Sequence, residues 1–257
     1  MKLITSPDNP FYKELHKLAG STRHRSKAGQ TLLDGAHLLA SYLASGNVPL
    51  HIVVTEAAQH DAEIKSLLNK LTGVPVTQLD NALFSELSEL KTVSGVLALI
   101  NVPQADAAAK DCNFCLLLEN IQDPGNLGSM VRSAAAAGCD AVFLSTGCAD
   151  AWSPRVLRAA MGGHFVLNLQ EHADLLSVAR EFGGTIFAAS LSARTSLYAS
   201  HLNGKTAFAI GNEGAGLSEA LMKLSQPVNI PMPGKVESLN AAAAAAICLF
   251  EAVRQRA

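Results

Sequence analysis

Short runs of uninterrupted apolar residues, each followed at once by a polar or glycine-bearing loop, constrain this chain more than any other feature. In the C-terminal half they fall at residues 114–118, 141–145, 165–169, 185–189, 207–210 and 228–231. A strand with one wet face alternates apolar and polar side chains, whereas a continuous apolar run marks a parallel strand covered on both faces. Helix signals fill the gaps, after Gly125, Ser153, His172, Ser218 and Ser238. The reading is an α/β fold with a parallel sheet. Ligands of such sheets bind beyond the carboxyl ends of the strands. That directs attention to the loops after Leu118, Ala189, Ile210 and Pro231.

The N-terminal half also alternates. Strand-like runs lie at 31–34, 51–55, 74–77 and 96–102, with helices ending near Gly46 and covering 57–71 and 81–90. A small sheet covered by helices is expected. Residues 103–111 carry no β-branched side chain and read as a linker, which bounds one domain at 1–102 and another at 112–257. Two domains suit a chain of 257 residues. Hydrophobic residues at 49% and charged ones at 16% exclude disorder, and 5% aromatics leave the core to Ala, Leu and Val.

The net charge of −2 argues against a general nucleic-acid glue. Its distribution says more. Residues 1–27 hold Lys2, Lys13, Lys17, Arg23, Arg25 and Lys27 against Asp8 and Glu14, a net of +4 on a body of −6. A basic arm of this kind can grip phosphates, or it can be a solvated helix; charge alone leaves both readings open. The five cysteines show no disulfide framework, so a reducing, cytoplasmic compartment is expected. Cys112 and Cys115 form a lone C-x-x-C without a second ligand pair, so they read as core cysteines and no metal is expected. No apolar leader opens the chain, and the longest smooth apolar stretch, 241–250, falls short of the roughly 20 residues that cross a bilayer. A soluble protein is expected.

Three segments can carry chemistry. In the first, Pro124 and Gly125 turn the chain after a buried strand, Asn126 can cap the helix that follows, and Arg132 stands alone in an apolar stretch of that helix. Arg132 needs an anionic partner, and a structural ion pair would supply one. In the second, Gly211, Gly214 and Gly216 surround Asn212 and Glu213 after a buried strand, allowing backbone groups to approach a ligand closely. This segment lacks both the P-loop and the dinucleotide-binding spacing. The plainer reading is a tight turn with Ser218 as the N-cap of the helix that follows. In the third, Pro231 and Pro233 stiffen a loop that leads through Ser238 and Asn240 into a helix with six consecutive alanines. The helix start favours electron-rich ligands, and the small side chains let another backbone approach.

All three segments follow buried strands and therefore share one edge of the sheet. Their candidate polar groups are Arg132, Glu213, Ser238, Asn126 and Asn240, with no histidine, so a serine-hydrolase triad is not supported. Of the eight histidines only His164 lies near a candidate loop, and a packed or surface role suits it.

In order, spacing and residue type, the segments from Asp123 to Arg132, from Gly211 to Ser218 and from Ile230 to Asn240 resemble the three signature motifs of the SpoU family of tRNA and rRNA ribose methyltransferases, within the SPOUT superfamily. The resemblance covers about residues 112–257. Residues 1–100 are similar, more loosely, to the small substrate-binding domain often found ahead of it, itself akin to certain RNA-binding ribosomal proteins. There the family usually shows Glu-Gly, and this chain has Asp34-Gly35, which keeps the charge.

The resemblance implies a trefoil knot in the C-terminal domain, a homodimer through the knot region, and transfer of a methyl group from S-adenosylmethionine to a ribose 2′-hydroxyl of tRNA or rRNA. It implies a cofactor site at Ala189, Ser190, Leu191, Ile210, Gly211, Asn212, Gly214, Ile230, Met232, Ser238 and Leu239. The implied catalytic set is Arg132, Asn126, Glu213, Ser238 and Asn240. An arginine is a poor base at neutral pH, so Arg132 is expected to orient the hydroxyl and stabilise its developing charge. Asn126, Ser238 and Asn240 would position ribose and Arg132, with Glu213 anchoring Arg132 or the loop. RNA phosphates would be held by Arg155 and Arg158, three apart on a helix start, together with Arg23, Arg25 and Lys27 of the basic arm. Two other readings remain: a catalytically idle RNA-binding relative, and an α/β enzyme acting on a small nucleotide-like metabolite.

Overall fold

The protein is described by a computed structural model covering residues 1–257 apart from 89, 91, 92 and 105–107. Its contacts group Met1–Pro103 with Trp152–Phe165 in one compact unit, and Gln104–Ala151 with Val166–Ala257 in a second. Segment 152–165, expected within the C-terminal domain, therefore packs in the first unit. The middle of the expected linker lies outside the described residues, and its end, Ala109–Asp111, is one turn of 3₁₀ helix.

The first unit runs β1 (Lys2–Ile4), α1 (Pro10–Gly20), α2 (Thr22–Ala28), β2 (Gln30–Asp34), α3 (Ala36–Ala44), β3 (His51–Val54), α4 (Ala62–Asn69), β4 (Val76–Leu79), α5 (Asn81–Leu87) and β5 (Val96–Asn101). Its sheet is mixed, in the order β1-β4-β3-β5-β2, with β5 antiparallel to both neighbours. Leu15, Leu18, Leu32, Val53, Phe84 and Leu97 fill one face, each fully buried side chain worth about 1.5–3 kcal/mol.

Two expectations shift here and one strand is added. The helix expected over 57–71 is broken at Asp61, whose carboxylate accepts from the amides of Glu63 and Ile64 and starts α4 afresh after a 3₁₀ turn. The expected strand 74–77 forms two residues later. The short β1 was not read from the sequence at all. Asp34 is buried and accepts from Ser88 Oγ and Ser94 Oγ at 2.6 and 2.7 Å.

The second unit follows as β6 (Phe114–Leu118), α6 (Pro124–Ala136), β7 (Ala141–Leu144), β8 (Asn168–Gln170), α8 (Leu175–Glu181), β9 (Thr185–Ala189), β10 (Thr206–Ile210), α9 (Glu219–Lys223), β11 (Gln226–Val228) and α10 (Ala241–Arg256); α7 (Pro154–Ala160) interrupts it in sequence and packs in the first unit. The strand order is β11-β9-β10-β6-β7-β8, with every pair parallel. The continuous apolar runs are thus buried parallel strands. Two runs were misplaced. Residues 163–165 form a 3₁₀ turn and β8 starts at Asn168; β11 ends at Val228, and Pro231 and Pro233 lie in the loop beyond it. Register pairs Ile210 with Leu118 and Val228 with Ala189. Four strands therefore end together, and their following loops meet at one edge.

Cys112, Cys115 and Cys139 are buried, and all five cysteines are free thiols. Burial pushes the Cys139 thiol up to about 12, which suits a packing role. No helix among the described residues is long and apolar enough to cross a membrane, and no group of three or more potential metal ligands occurs among them.

Candidate active site

The loops at this edge enclose a cavity of about 630 Å³. Its wall is built from the ends of β9, β10 and β11 and the start of α10. Ala189, Ser190, Leu191, Ile210, Gly211, Asn212, Gly214, Ile230, Met232, Ser238 and Leu239, expected at a cofactor site, all line it. Ser192, Leu217 and Val228, which were not expected there, line it as well, and among the described residues Glu213 is the one charged residue on the wall.

The glycine-rich loop is fixed by contacts that leave little freedom. Asn212 Oδ1 accepts from the amides of Gly214 and Ala215, and the Gly216 amide closes back on the Asn212 carbonyl at 2.9 Å. A Cβ on Gly211 would sit 2.3–2.4 Å from backbone atoms of Gly216 and Leu217. Glycine is required there by close backbone approach. The end of β6 then clamps the loop at both ends. Asn212 Nδ2 donates to the Asn120 carbonyl at 3.0 Å, and the Glu119 carboxylate accepts from both the amide and the hydroxyl of Ser218 at 2.6 and 2.8 Å. Ser218 caps α9, as the tight-turn reading had it. Asn120 adopts the left-handed backbone at φ 56°, a conformation that asparagine tolerates better than most residues. No role was expected of Glu119 or Asn120. The available signal was a carboxylate placed immediately after a fully apolar strand.

Three of the expected catalytic residues meet in one directed chain of hydrogen bonds. Asn126 Nδ2 donates to Glu213 Oε1 at 2.7 Å, Asn240 Nδ2 donates to Asn126 Oδ1 at 2.9 Å, and Asn240 Oδ1 accepts from the Ala242 and Ala243 amides that open α10. The order of donors follows from the chemistry. A carboxylate only accepts, so Asn126 must turn its amide nitrogen to Glu213 and its oxygen to Asn240.

The relay also corrects the expectation that Asn126 caps α6. Pro124 starts that helix, and Asp123 is its cap, accepting from the Asn126 amide at 2.7 Å. The Asn126 side chain is thereby released toward Glu213. Arg132 is exposed and forms no hydrogen bond or ion pair among the described residues. Glu213 is bonded to Asn126, so the expected Glu213 anchor on Arg132 is not what the structure has. Ser238 is exposed on the cavity wall.

The expected phosphate-binding residues divide. Arg23 and Lys27 are exposed on α2. Arg25, between them, is buried, and its guanidinium donates to the Leu18 and Ala19 carbonyls at 2.6 and 3.0 Å and to Thr22 Oγ1 at 3.1 Å. It ties off the C-terminal end of α1 and is spent before it could reach a phosphate. On α7, Arg155 is exposed and Arg158 half-buried. Both α2 and α7 pack on β2, so Arg23, Lys27 and Arg155 belong to one unit. His164 is buried against Trp152, with ring centroids 5.0 Å apart, in keeping with the packed role.

Comparison with known proteins places this geometry. Residues 113–250 match the model of the SpoU rRNA Methylase family, and residues 9–98 match the MRM3-like substrate binding domain. The chain is 33% identical to the 23S rRNA (guanosine(2553)-2′-O)-methyltransferase RlmP of Bacillus subtilis, over 97% of this chain and 98% of that protein. It is 30% identical to the mitochondrial rRNA methyltransferase 3 of Xenopus laevis, over 96% of this chain and 75% of that one. Among solved structures, the SpoU methyltransferase AviRb of Streptomyces viridochromogenes in complex with AdoMet superposes with a TM-score of 0.85 at 28% identity, covering 96% and 98% of the two chains. The AdoMet-bound rRNA methyltransferase of Sinorhizobium meliloti gives 0.84 at 25% identity, covering 98% and 97%. A parallel sheet whose strand ends carry a glycine-rich loop, a proline-stiffened loop and an asparagine relay between them, matched over more than half the chain by one family model, makes this chain a member of the SpoU rRNA methylase family.

Proposed function

We propose that the protein transfers the methyl group of S-adenosylmethionine to a ribose 2′-hydroxyl of RNA. The observation that carries this reading is the Glu213–Asn126–Asn240 relay, which ties all three motif segments together beside one cavity. An idle relative would have no reason to keep it intact. The cavity fits the cofactor: its volume lies within the usual range for small-molecule sites, its glycine loop offers backbone groups, and Leu191, Ile210, Ile230, Met232 and Leu239 offer an apolar bed. The cofactor supplies an electrophilic methyl on a sulfonium, whose leaving group is neutral and needs no acid.

The chain's own task is the hydroxyl. Arg132, exposed and uncommitted among the described residues, orients it and stabilises the negative charge that develops as its proton passes to solvent water. Asn126 and Asn240 hold the ends of α6 and α10 in register, and Ser238 positions the ribose. Arg23, Lys27 and Arg155 of the first unit draw the RNA backbone. Ribosomal RNA is the substrate to try before tRNA, since the Bacillus relative that aligns nearly end to end is named for 23S rRNA.

A trefoil knot and a homodimer belong to the same proposal. The dimer is supported by α10, where Phe250 is 47% exposed beside the small Ala243 and half-buried Ile247; light scattering should return twice the chain mass. The five free thiols suit a cytoplasmic setting.

The central test is methyl transfer. Unmodified ribosomal RNA and tRNA are incubated with radiolabelled cofactor and the wild-type, Arg132→Lys or Arg132→Ala protein, and ribose-methylated positions are mapped. A single modified ribose with wild type, lost in Arg132→Ala, is expected. Label on a base, or on no RNA, rejects the reading; near-wild-type rates in both variants at saturating cofactor remove Arg132 from the chemistry.

A further inference from the structure

We propose that a second cavity in the C-terminal unit, walled by Arg194, grips a phosphodiester of the RNA substrate next to the cofactor site. The proposal rests on the methyltransferase reading above. The cavity, about 530 Å³, lies between the loop leaving β9 and strand β11. Ser192 and Val228 line both cavities, so the two spaces share a wall. An RNA chain that brings a ribose to the cofactor must continue on either side of it, and a space across one wall is where a flanking phosphate can lie.

The chemistry of the second cavity selects an anion. None of its lining residues is acidic, so no carboxylate there competes for the guanidinium. The Ser200 and Ser225 hydroxyls are already spent on the Ser196 and Leu221 carbonyls. With the Ser192 hydroxyl paired to Ser190 Oγ at 3.1 Å, the donors left are Arg194, Thr195 and Gln226, whose side chains are exposed and make no hydrogen bond among the described residues. An arginine with two neutral donors beside it matches a phosphate, which guanidinium binds through two parallel N–H groups.

The backbone under Arg194 is also prepared for this. Asn229 grips the loop on both sides of it: its Nδ2 donates to the Ala193 carbonyl at 2.6 Å and its amide to the Thr195 carbonyl at 2.9 Å. The Leu197 amide closes back on the Asn229 carbonyl at 2.7 Å, and Ala193 is buried. No contact among the described residues uses the Arg194 side chain, yet its main chain is held through both neighbours. An exposed cation on a backbone held by hydrogen bonds loses mainly side-chain freedom when it binds, which favours a ligand.

The experiment uses the full-length protein with Arg194→Gln and Arg194→Glu, a transcribed large-subunit rRNA as probe, and inorganic phosphate as a separate probe at matched ionic strength. Arg194→Gln should weaken RNA binding about 5- to 20-fold and lower the slope of log affinity against log salt by about one, as loss of one phosphate contact requires. Arg194→Glu should weaken it further. Cofactor affinity should stay within about twofold of wild type, as expected for a contact outside the cofactor cavity. Unchanged RNA affinity and slope would overturn the proposal. So would an equal loss of cofactor affinity, which would mean that the loop had moved, or submillimolar binding of inorganic phosphate, which would make the cavity a free-anion site. If Arg194 variants lose RNA while wild type methylates none, the phosphate site stands and the methyl-transfer reading alone fails.

Discussion

Asn126 Nδ2 lies 2.7 Å from Glu213 Oε1, joining residues 87 positions apart and fixing which way every amide between Glu213 and the start of α10 must point. The pair makes the relay testable by charge. Asn126→Asp would set a second carboxylate against Glu213, and two carboxylates in contact do not both stay ionised. One of them would take a proton with a raised pKa. At pH 7 and above, repulsion should open the pair and cut single-turnover methyl transfer about 10²-fold, in line with loss of a hydrogen bond to a charged group. A shared proton restores the bond at lower pH, so activity relative to wild type should recover as pH falls. A pH-independent rate close to wild type would show that the relay is not needed.

Gly211 offers a separate handle on the cofactor cavity. Its Cβ would meet main-chain atoms of Gly216 and Leu217 rather than a movable side chain, so Gly211→Ala must displace one strand of the loop. Calorimetric cofactor affinity should fall by at least about tenfold, equivalent to roughly 1.4 kcal/mol, with far-UV circular dichroism unchanged because the displaced loop carries no helix. Retained affinity would mean that the loop is more pliant than its Asn212 and Ser218 clamps suggest.

The strand ends were legible because continuous apolar runs are a property of each segment alone. The cavity wall was legible because loops after parallel strands share an edge whatever the details of packing. The relay was not. Asn126 looked like a helix cap because asparagine caps well, and only the placement of Pro124 and Asp123 one turn earlier frees it for Glu213. Likewise Glu119 and Ser218 are 99 residues apart, and no local pattern announces such a pair. Arg25 shows the converse. In sequence it is one more cation of a basic arm, and only the turn between α1 and α2 folds it inward.

That turn separates two neighbouring arginines by function. Arg25→Ala leaves the carbonyls of Leu18 and Ala19 without their buried donor, a loss of about 1–3 kcal/mol. Arg23→Ala removes an exposed side chain and should change stability by less than about 0.5 kcal/mol. Denaturant titration should therefore rank Arg25→Ala well below Arg23→Ala in stability. RNA affinity, measured on the folded fraction, should rank them the other way. Equal stability losses would place Arg25 back among the surface cations.

The end of α10 carries a pH dependence of its own. Glu251 is buried, and its two oxygens accept from Arg254 Nε and Nη2 at 2.9 and 2.8 Å and from Gln255 Nε2 at 2.8 Å. Hydrogen bonds from Arg254 and then Gln255 hold its carboxyl down to about 2, against an ordinary value near 4.5. Gln255 in turn holds the Leu202 amide and the Ser200 carbonyl, so the cluster ties α10 to the segment leading into β10. A carboxylate whose folded pKa lies below its unfolded one contributes stability in full above the unfolded value and loses it as pH falls through the folded value. The difference in unfolding midpoint between wild type and Glu251→Gln should therefore be constant from pH 8 to about 5, shrink below about 4.5 and vanish near 2. Differential scanning calorimetry across that range reads it directly. A difference that persists undiminished at pH 2.5 would mean that Glu251 stabilises through packing rather than charge.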